Sequence, residues 1–362
     1  MNQFNSPTLD TIKKLFKPYT SRVYIVGGAV RNYLLNQPFE DIDIEVYDVD
    51  INLFEELMQT IKAKGVGKSF FVYKWNNTDI SLPRTETKIS SGHTGFAVSI
   101  TNDEKIAARR RDFTINAIMY NIYSGKIVDF FNGKDDLVQK VIKVIDCNRF
   151  KEDNLRTLRA VRFASEYNFR IENQSLKLIS SMSINDLSKT RIFDEFEKIS
   201  KSLYLEIGFY YLIKSNLFTQ IFNKKVSFIE FFRIYKILKK YKIYFYEPLK
   251  KYYFLYILKT FLHIDINNLE LPKKYKKIDN EPFYKTISDK ELCFLSIEKP
   301  IKEYLFAYQP HIITQAKRLN IYDKQLQIPV DIQNIIDQGY KGKQIKEQIN
   351  ISYNQFIITN LL

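Results

Sequence analysis

The sequence predicts an α+β protein in which a head with a mixed β-sheet, flanked by helices, precedes an all-helical remainder. From Val23 to Val46, an apolar run, a glycine pair, a helical pattern and an alternating run follow one another, which is typical of strand, turn, helix and strand. Patterns typical of strands stop near Phe150. The 362 residues exceed the roughly 250 to 300 at which one core stops growing, so we expect two or more domains.

A glycine pair, Gly27 and Gly28, follows the first predicted strand and opens an apolar helical pattern that begins at Ala29. Because glycine lacks a Cβ atom, this turn can present backbone N–H groups and the positive end of a helix to a phosphate. Taken alone, such a pair more often forms only a turn. Its place directly before a helix makes it a candidate phosphate site.

The second strand alternates between apolar and acidic residues, the acids being Asp41, Asp43 and Glu45. A period of two sends the apolar set to the core and the acids to one open face. Neighbouring carboxylates raise each other's pKa unless a cation neutralises them, and Mg2+ prefers oxygen ligands. Phosphate beside a divalent metal on two aspartates favours nucleotidyl transfer, although an Asp-x-Asp pair alone is more often a solvated face.

The two segments, about a dozen residues apart, together resemble the active site of the DNA polymerase β-like nucleotidyltransferases. The wording Gly-Gly-Ala-Val-Arg, ending at Arg31, with the later Asp-Ile-Asp is similar to the bacterial class II tRNA nucleotidyltransferase and poly(A) polymerase family. The resemblance implies a head of that fold and two Mg2+ ions held by Asp41 and Asp43. One departure is Asn32, where the family usually carries Asp; we expect it to alter a local salt bridge and to leave the metal carboxylates intact.

The next elements bring a third acid toward this strand. We predict a helix over residues 51–64, ended by glycines, and then paired strands over 69–72 and 78–82 around an Asn-Asn turn. Asp79 lies on the later of these strands and is a candidate third catalytic carboxylate. A turn-flanking role for Asp79 is an equally open alternative.

A polar, glycine-punctuated segment from Arg84 to Gly95 has no apolar period, which predicts a mobile loop that can close over a substrate. Its Arg-Thr-Glu wording, ahead of a Gly-x-Thr-Gly-Phe step, resembles CCA-adding enzymes of the Gram-negative type. The segment from Gly67 to Val72 also resembles the CCA type and lacks the basic Arg-Phe element typical of poly(A) polymerases. It therefore favours a CCA-adding enzyme.

Three consecutive arginines, from Arg109 to Arg111, are followed by Asp112 and then by an apolar helical pattern. A helix N-terminus favours anions, so we predict a triphosphate site including Arg110 in preference to a solvated surface run. The segment is similar to the family's Arg-Arg-Asp motif, and the resemblance implies that Arg111 and Asp112 contact the nucleotide phosphates and ribose. Residues 129–137 resemble the family's link between head and neck, which we interpret as a hinge.

A predicted helix carries Asp153 and Arg156, three residues apart. They match the family's Glu-Asp-x-x-Arg motif, and the resemblance implies a protein template that reads the incoming base. One carboxylate and one guanidinium can bond the amine donor and ring acceptor that cytosine and adenine share. An intrahelical ion pair is the alternative. The predicted nucleotide site also includes four further residues: Arg31, Asn116, Arg159 and Arg162.

The remaining sequence predicts helices only. Residues 188–202 resemble the family's next neck helix, and residues 226–262 are rich in lysine and aromatic residues, for which a core role is favoured over RNA stacking. A turn from Gly339 to Gly342 resembles the tail turn of CCA-adding relatives. We expect a head over 1–146, a helical neck over 147–205, a helical body over 206–300 and a tRNA-binding tail over 301–362.

Composition favours a polyanionic partner. Lys and Arg outnumber Asp and Glu by 55 to 41, which gives a net charge of +14, and such charge attracts nucleic acid. A purely compositional origin is the alternative, but only Arg233 and Arg318 among the arginines lie beyond Arg191. The lack of a long apolar run or signal-peptide pattern predicts a cytoplasmic protein without membrane association. Two scattered cysteines and three histidines disfavour zinc sites, disulfides and a phosphohydrolase domain.

These predictions combine into one hypothesis: template-independent addition of CCA to tRNA 3′ ends from CTP and ATP, with two Mg2+ ions and release of pyrophosphate. We expect tRNA, CTP and ATP as partners and no stable protein partner. Poly(A) polymerase and a partial enzyme that adds only CC or only A are the alternatives. An inactive RNA-binding module is disfavoured, because binding alone does not require metal carboxylates.

Overall fold

The computed structural model describes residue 4 and residues 6–66, 71–88, 96–266 and 269–361. The chain forms two compact units, one made of Met1–Ile192 with Tyr211–Gln220 and the other of Phe193–Tyr210 with Ile221–Leu362. The first unit contains the β-sheets and the second is helical. This confirms the predicted α+β class, while the finer division into head, neck, body and tail stays a prediction.

The described strands are short and lie in the first unit. They are β1 (Val23–Val26), β2 (Ile42–Val46), β3 (Lys64–Gly65), β4 (Val72–Trp75), β5 (Thr78–Ser81), β6 (Arg84–Lys88), β7 (Phe96–Ile100), β8 (Met119–Asn121), β9 (Ile127–Val128), β10 (Val141–Ile142) and β11 (Arg170–Ile171). Seven of them form one sheet in the order β3-β4-β5-β2-β1-β8-β9. Its neighbours are antiparallel except for the parallel pair β2 and β5, so the sheet is mixed as predicted.

The described helices alternate with these strands and then continue alone. They are α1 (Pro7–Phe16), α2 (Gly28–Leu34), α3 (Ile51–Thr60), α4 (Glu104–Arg109), α5 (Gly133–Val138), α6 (Cys147–Phe150), α7 (Leu155–Tyr167), α8 (Asn173–Ser181), α9 (Lys189–Lys201), α10 (Leu205–Lys214), α11 (Leu217–Phe222), α12 (Phe228–Tyr241), α13 (Lys250–Leu262), α14 (Asp289–Glu298), α15 (Pro310–Arg318), α16 (Ile332–Asp337) and α17 (Lys343–Asn360). None of these described helices has the length and apolar character needed to cross a membrane. A cytoplasmic location stays a prediction.

Strand β1 positions the glycine turn. All four of its residues are buried, and it lies between β2 and β8. Val26, its last residue, pairs with Asp43 of β2. Because Gly27 directly follows Val26, the register places the turn beside the acidic end of β2.

Three predicted boundaries in the head are wrong. The strand predicted over 69–72 is β4, which runs from Val72 to Trp75, where it pairs with β5. Helix α3 ends at Thr60 because Lys64 and Gly65 pair with β4 as an edge strand. The segment predicted as a loop from Arg84 forms strand β6, which pairs antiparallel with β7 along its whole length. The sequence of β6, Arg-Thr-Glu-Thr-Lys, contains no apolar residue, so a search for an apolar period could not find this strand. The predicted positions 67–70 and 89–95 lie outside the described residues.

The helix predicted after the arginine run is also wrong. The segment forms one 3-10 turn, Thr114–Asn116, and the arginines instead lie at the C-terminal end of α4. Phe113 is held in a β-bridge with Val144, which prevents a longer helix. Basic residues suit a helix C-terminus because its dipole is negative there. The prediction that strands stop near Phe150 is also wrong, because β11 lies beyond that residue and pairs in parallel with β10.

The second unit buries only part of its aromatic-rich segment. Tyr253 and Phe254 of α13 are fully buried, whereas Phe228 and Phe232 of α12 are 76% and 48% exposed. The predicted core role is therefore right for α13 and wrong for the first turns of α12. Near the end of the chain, Gly339 and Gly342 adopt positive φ values between α16 and α17, which confirms the predicted turn.

Candidate active site

An open cavity of about 390 Å³ lies in the first unit, a volume within the range of small-ligand sites. All the residues predicted to bind nucleotide line it, together with Asp43. Asp41 and Asp79 do not line it. The full lining set is Gly27, Gly28, Arg31, Asp43, Arg110, Arg111, Asp112, Asn116, Asp153, Leu155, Arg156, Arg159, Arg162 and Phe163.

Gly27 lies close to two charged side chains of the cavity wall. Its φ is 75°, a conformation that side chains disfavour. A Cβ atom placed on Gly27 would lie 3.0 Å from Arg111 Nη1 and 3.2 Å from Asp43 Oδ2. The turn therefore needs glycine for its backbone angle and for the close approach of a cation and an anion. Next to it, α2 begins at Gly28 with its backbone N–H groups toward the turn.

Asp43 and Asp79 are direct neighbours on the parallel strands β2 and β5. Asp79 also lies 3.7 Å from the Lys74 ammonium, measured from Oδ1 to Nζ. Burial raises the pKa of the Asp43 carboxyl; Arg111 opposes this rise, and Asp79 adds to it. An added cation would favour the ionised form of such a carboxyl.

Asp41 and Asp43 fit Mg2+ by their chemistry. Both are acids of one strand parity, and neither accepts a hydrogen bond or forms an ion pair within the described ranges. Mg2+ commonly takes one or two carboxylates and completes its shell with water and substrate phosphate. Among the described residues, no three His, Cys, Asp or Glu side chains form a metal cluster. The assignment of Asp41 and Asp43 as metal ligands stays a prediction.

Glu45 does not lie on the open face with the aspartates, and the prediction that it does is wrong. Its side chain is 1% exposed. Its Oε1 accepts hydrogen bonds from Arg110 Nη2 at 2.9 Å and from Arg111 Nη2 at 3.0 Å. Burial alone would raise the pKa of this carboxyl, but the two arginines lower it to about 2. The alternation of residues along β2 could not predict these two arginine partners, because they lie at the end of α4 and directly after it.

Asp112 is buried and lines the cavity. Its Oδ2 accepts a 2.7 Å hydrogen bond from Arg159 Nε, and its Oδ1 accepts from Asn116 Nδ2 at 2.9 Å. Burial would raise the pKa of Asp112, but Arg159 and Asn116 lower it to about 2. The carboxylate is thus ionised and oriented by the protein. A contact with a ribose hydroxyl stays a prediction.

Arg31 is buried and organises the wall between α2 and α7. It donates to Asn116 Oδ1 at 2.6 Å and to the Tyr167 hydroxyl at 2.7 Å, and its guanidinium lies 4.9 Å from the Phe163 ring centroid. It also donates to Asn32 Oδ1 at 3.0 and 3.1 Å. A neutral amide oxygen thus replaces the carboxylate that the family resemblance leads one to expect. The expected change in a local salt bridge stays a prediction.

Asp153 and Arg156 both face the cavity but do not form the intrahelical ion pair considered above. Asp153 precedes α7, and its Oδ1 accepts from Leu155 N at 3.1 Å and from Arg191 Nη2 at 3.3 Å. Arg156 donates to the backbone oxygens of Arg149 at 2.7 Å and Arg110 at 2.9 Å. Each side chain is therefore held by other partners. Their role as a base template stays a prediction.

Sequence reasoning missed two residues of the α7 face, Phe163 and Tyr167. Phe163 lies under the guanidinium groups of Arg31, Arg159 and Arg162, with the last 4.4 Å from its ring centroid. Arg159, Phe163 and Tyr167 are four residues apart, so helical spacing could have found them.

Comparisons with known proteins agree with this geometry. Residues 23–143 match the family model of the poly A polymerase head domain, and residues 168–227 match the model described as a probable RNA and SrmB-binding site of polymerase A. A solved structure of the Bacillus stearothermophilus CCA-adding enzyme in complex with CTP aligns with a TM-score of 0.67 at 20% identity, covering 98% of this chain and 93% of that one. Other matched structures are complexes of a CCA-adding enzyme with ATP and of a tRNA nucleotidyltransferase with a primer tRNA and an ATP analog. At such low identity these likenesses show the fold.

Two relatives show how far the similarity extends. The Haemophilus ducreyi multifunctional CCA protein is 35% identical over 212 residues. The aligned region covers 56% of this chain and 50% of that protein, so the chain spans about half of its length. The CCA-adding enzyme of Buchnera aphidicola subsp. Cinara cedri is 30% identical over 370 residues, covering 92% of this chain and 84% of that enzyme. Because that similarity continues beyond the catalytic head, this chain belongs to the class II tRNA nucleotidyltransferases, the family of the CCA-adding enzymes.

Proposed function

We propose that this protein adds CCA to tRNA 3′ ends, using CTP and ATP and releasing pyrophosphate. The observation that carries the proposal is the single cavity in which the glycine turn, Asp43 and the arginine pair lie with Asp153 and Arg156. The residues to which we assign phosphate binding, metal binding and base reading therefore lie around one cavity. Similarity to a CCA-adding enzyme over most of the chain supports CCA addition over poly(A) synthesis.

In this proposal the triphosphate lies along the glycine turn. Backbone N–H groups at Gly28 and the guanidinium groups of Arg110 and Arg111 neutralise its charge, which also develops on the leaving pyrophosphate. Asp41 and Asp43 would hold two Mg2+ ions. Bound there, the ions would lower the pKa of the primer 3′-OH and stabilise the leaving group. Asp112, ionised and fixed by Arg159, accepts a hydrogen bond from the ribose 2′-OH.

Base choice in the proposal depends on Asp153 and Arg156. The carboxylate accepts from the exocyclic amine of cytosine or adenine, and the guanidinium donates to the ring nitrogen beside it. Uracil and guanine place a carbonyl oxygen against the carboxylate, which costs about 1 to 3 kcal/mol. Arg156 already donates to two backbone carbonyls, so its orientation is set before a nucleotide binds.

The test is an incorporation assay with purified protein, a tRNA that ends at the discriminator base, and each labelled NTP in turn. Sequential addition of two C residues and one A residue is the expected result. Addition of long A tracts to an unrelated RNA would favour poly(A) polymerase, and arrest after CC or failure to use CTP would favour a partial enzyme. No incorporation in Mg2+ would contradict the proposal.

The tRNA partner has a separate test in the salt dependence of binding. The net charge of +14 should neutralise several phosphates, so the Kd for tRNA should rise steeply between low and physiological salt. Fluorescence anisotropy with labelled tRNA measures this slope. A flat salt dependence would show that the charge is only compositional.

A further inference from the structure

We propose that Glu45 is a positioning residue that holds Arg110 and Arg111 in the geometry that binds the nucleotide triphosphate. This inference rests on the proposed nucleotidyl transfer. It arises from an unusual contact: one oxygen, Glu45 Oε1, accepts hydrogen bonds from both guanidinium groups, at 2.9 and 3.0 Å.

The two arginines need such an anchor because they are adjacent like charges with limited solvent access. Their side chains are 18% and 14% exposed, while Glu45 is 1% exposed. A buried carboxylate offsets their mutual repulsion and fixes two long side chains that otherwise have many rotamers. Arg111 then directs Nη1 toward Gly27, at 3.0 Å from where a Cβ atom would lie.

The anchor is itself fixed. Glu45 lies on β2, inside the seven-stranded sheet, and its Oε2 accepts a hydrogen bond from the Tyr47 hydroxyl at 3.1 Å. Tyr47 is fully buried and packs edge-on against Tyr24, with ring centroids 5.5 Å apart. The sheet therefore fixes the position of Glu45, and Glu45 fixes the position of the two arginines. Arg110 in turn accepts a hydrogen bond from Arg156 at its backbone oxygen.

The sign of the effect separates positioning from simple charge neutralisation. If Glu45 only reduced the positive charge of the site, its removal would tighten triphosphate binding, because a repelling anion would be gone. If it positions the arginines, its removal weakens triphosphate binding although the site becomes more positive. Cytidine, which has no phosphate, should bind equally well in either case.

The experiment uses the full chain with Glu45→Gln, which removes the charge and keeps the shape, and Glu45→Asp, which keeps the charge and withdraws it from the arginines. Glu206→Gln is the matched control, since Glu206 is also buried and pairs with Lys242 at 2.7 Å, and neither residue lines the cavity. Titration calorimetry measures the Kd for CTP, and ligand-observed NMR measures the Kd for cytidine. A tRNA extension assay measures kcat and KM.

For both Glu45 variants we expect a CTP Kd raised roughly tenfold or more, an unchanged cytidine Kd, and a KM that rises by a larger factor than kcat falls. The control should behave like the wild type. Unchanged or tighter CTP binding in folded Glu45 variants would overturn the inference. If the Glu45 variants do not fold, Tyr47→Phe is the second test of the inference. A higher Kd for CTP with an unchanged Kd for cytidine supports the inference, and an unchanged Kd for CTP overturns it. Failure of the wild type itself to bind CTP would overturn the proposed function instead.

Discussion

Arg159 Nε donates a 2.7 Å hydrogen bond to Asp112 Oδ2, joining two residues that are 47 positions apart in the chain. This bond links the arginine-rich segment to helix α7, which carries the proposed base-reading residues. It also holds the pKa of Asp112 at about 2, although burial alone would raise it. The bond thus has a stability consequence that depends on pH.

Asp112→Asn should lower stability at neutral pH and lose this effect in acid. The folded-state pKa lies below the ordinary value of 3.8, so the contribution is complete above that value and disappears as the pH falls toward 2. The shift corresponds to about 2 kcal/mol at pH 7. Urea unfolding of the wild type and of Asp112→Asn from pH 7 to pH 2.5 measures the difference between their free energies of unfolding. Asp10→Asn, at an exposed pair with Lys13, is the control; a gap for Asp112→Asn that is independent of pH would contradict the assignment.

Asp41→Asn and Asp43→Asn should each reduce nucleotide incorporation by several orders of magnitude and leave tRNA binding nearly unchanged. Metal placement is needed for chemistry and not for backbone docking. Asp79→Asn is the informative comparison, because Asp79 neighbours Asp43 in the sheet but pairs with Lys74. A similar loss in that variant would make Asp79 a third catalytic carboxylate. Nucleotide incorporation within about tenfold of wild type for both the Asp41 and the Asp43 variant would contradict their assignment as metal ligands.

Gly27→Ala should weaken CTP binding far more than Gly28→Ala. At Gly27 the φ of 75° and a 3.0 Å approach to Arg111 Nη1 both oppose a side chain, with a backbone cost of about 1 to 3 kcal/mol. At Gly28 the nearest atom to an added Cβ is Arg31 Nη2, at 3.4 Å, which is an ordinary van der Waals distance. Calorimetric CTP affinities and melting temperatures test this difference. Equal affinities in the two variants would show that the turn does not shape the phosphate site.

Asp153→Ala should raise UTP and GTP use relative to CTP and ATP by roughly ten- to a hundredfold, since it removes the acceptor that repels their carbonyl oxygens. Arg156→Ala should instead impair CTP and ATP together. All four NTPs are compared on one tRNA, with melting curves alongside. Arg191→Ala is the matched control, because it removes the 3.3 Å partner of Asp153 and leaves the carboxylate in place. Unchanged nucleotide ratios in both template variants would refute the base-reading role.

Much of the catalytic head could be predicted from local pattern. The strand, glycine turn and helix around Gly27 and the alternation around Asp43 appear in the structure where the sequence places them. Such features depend on backbone freedom and on a period of two, which are properties of neighbouring residues. The buried face of α1, formed by Leu9, Ile12 and Phe16, likewise follows helical spacing.

The sequence by itself determined which chemical groups the site contains and on which elements they lie. Only the tertiary structure decided how they are paired. Glu45 has the strand parity of Asp43 yet is buried, because Arg110 and Arg111 approach it from a segment more than 60 residues away. Asp153 and Arg156, close in sequence, are held by other partners. Hydrogen bonds and ion pairs between remote segments depend on chain packing, which no local period encodes.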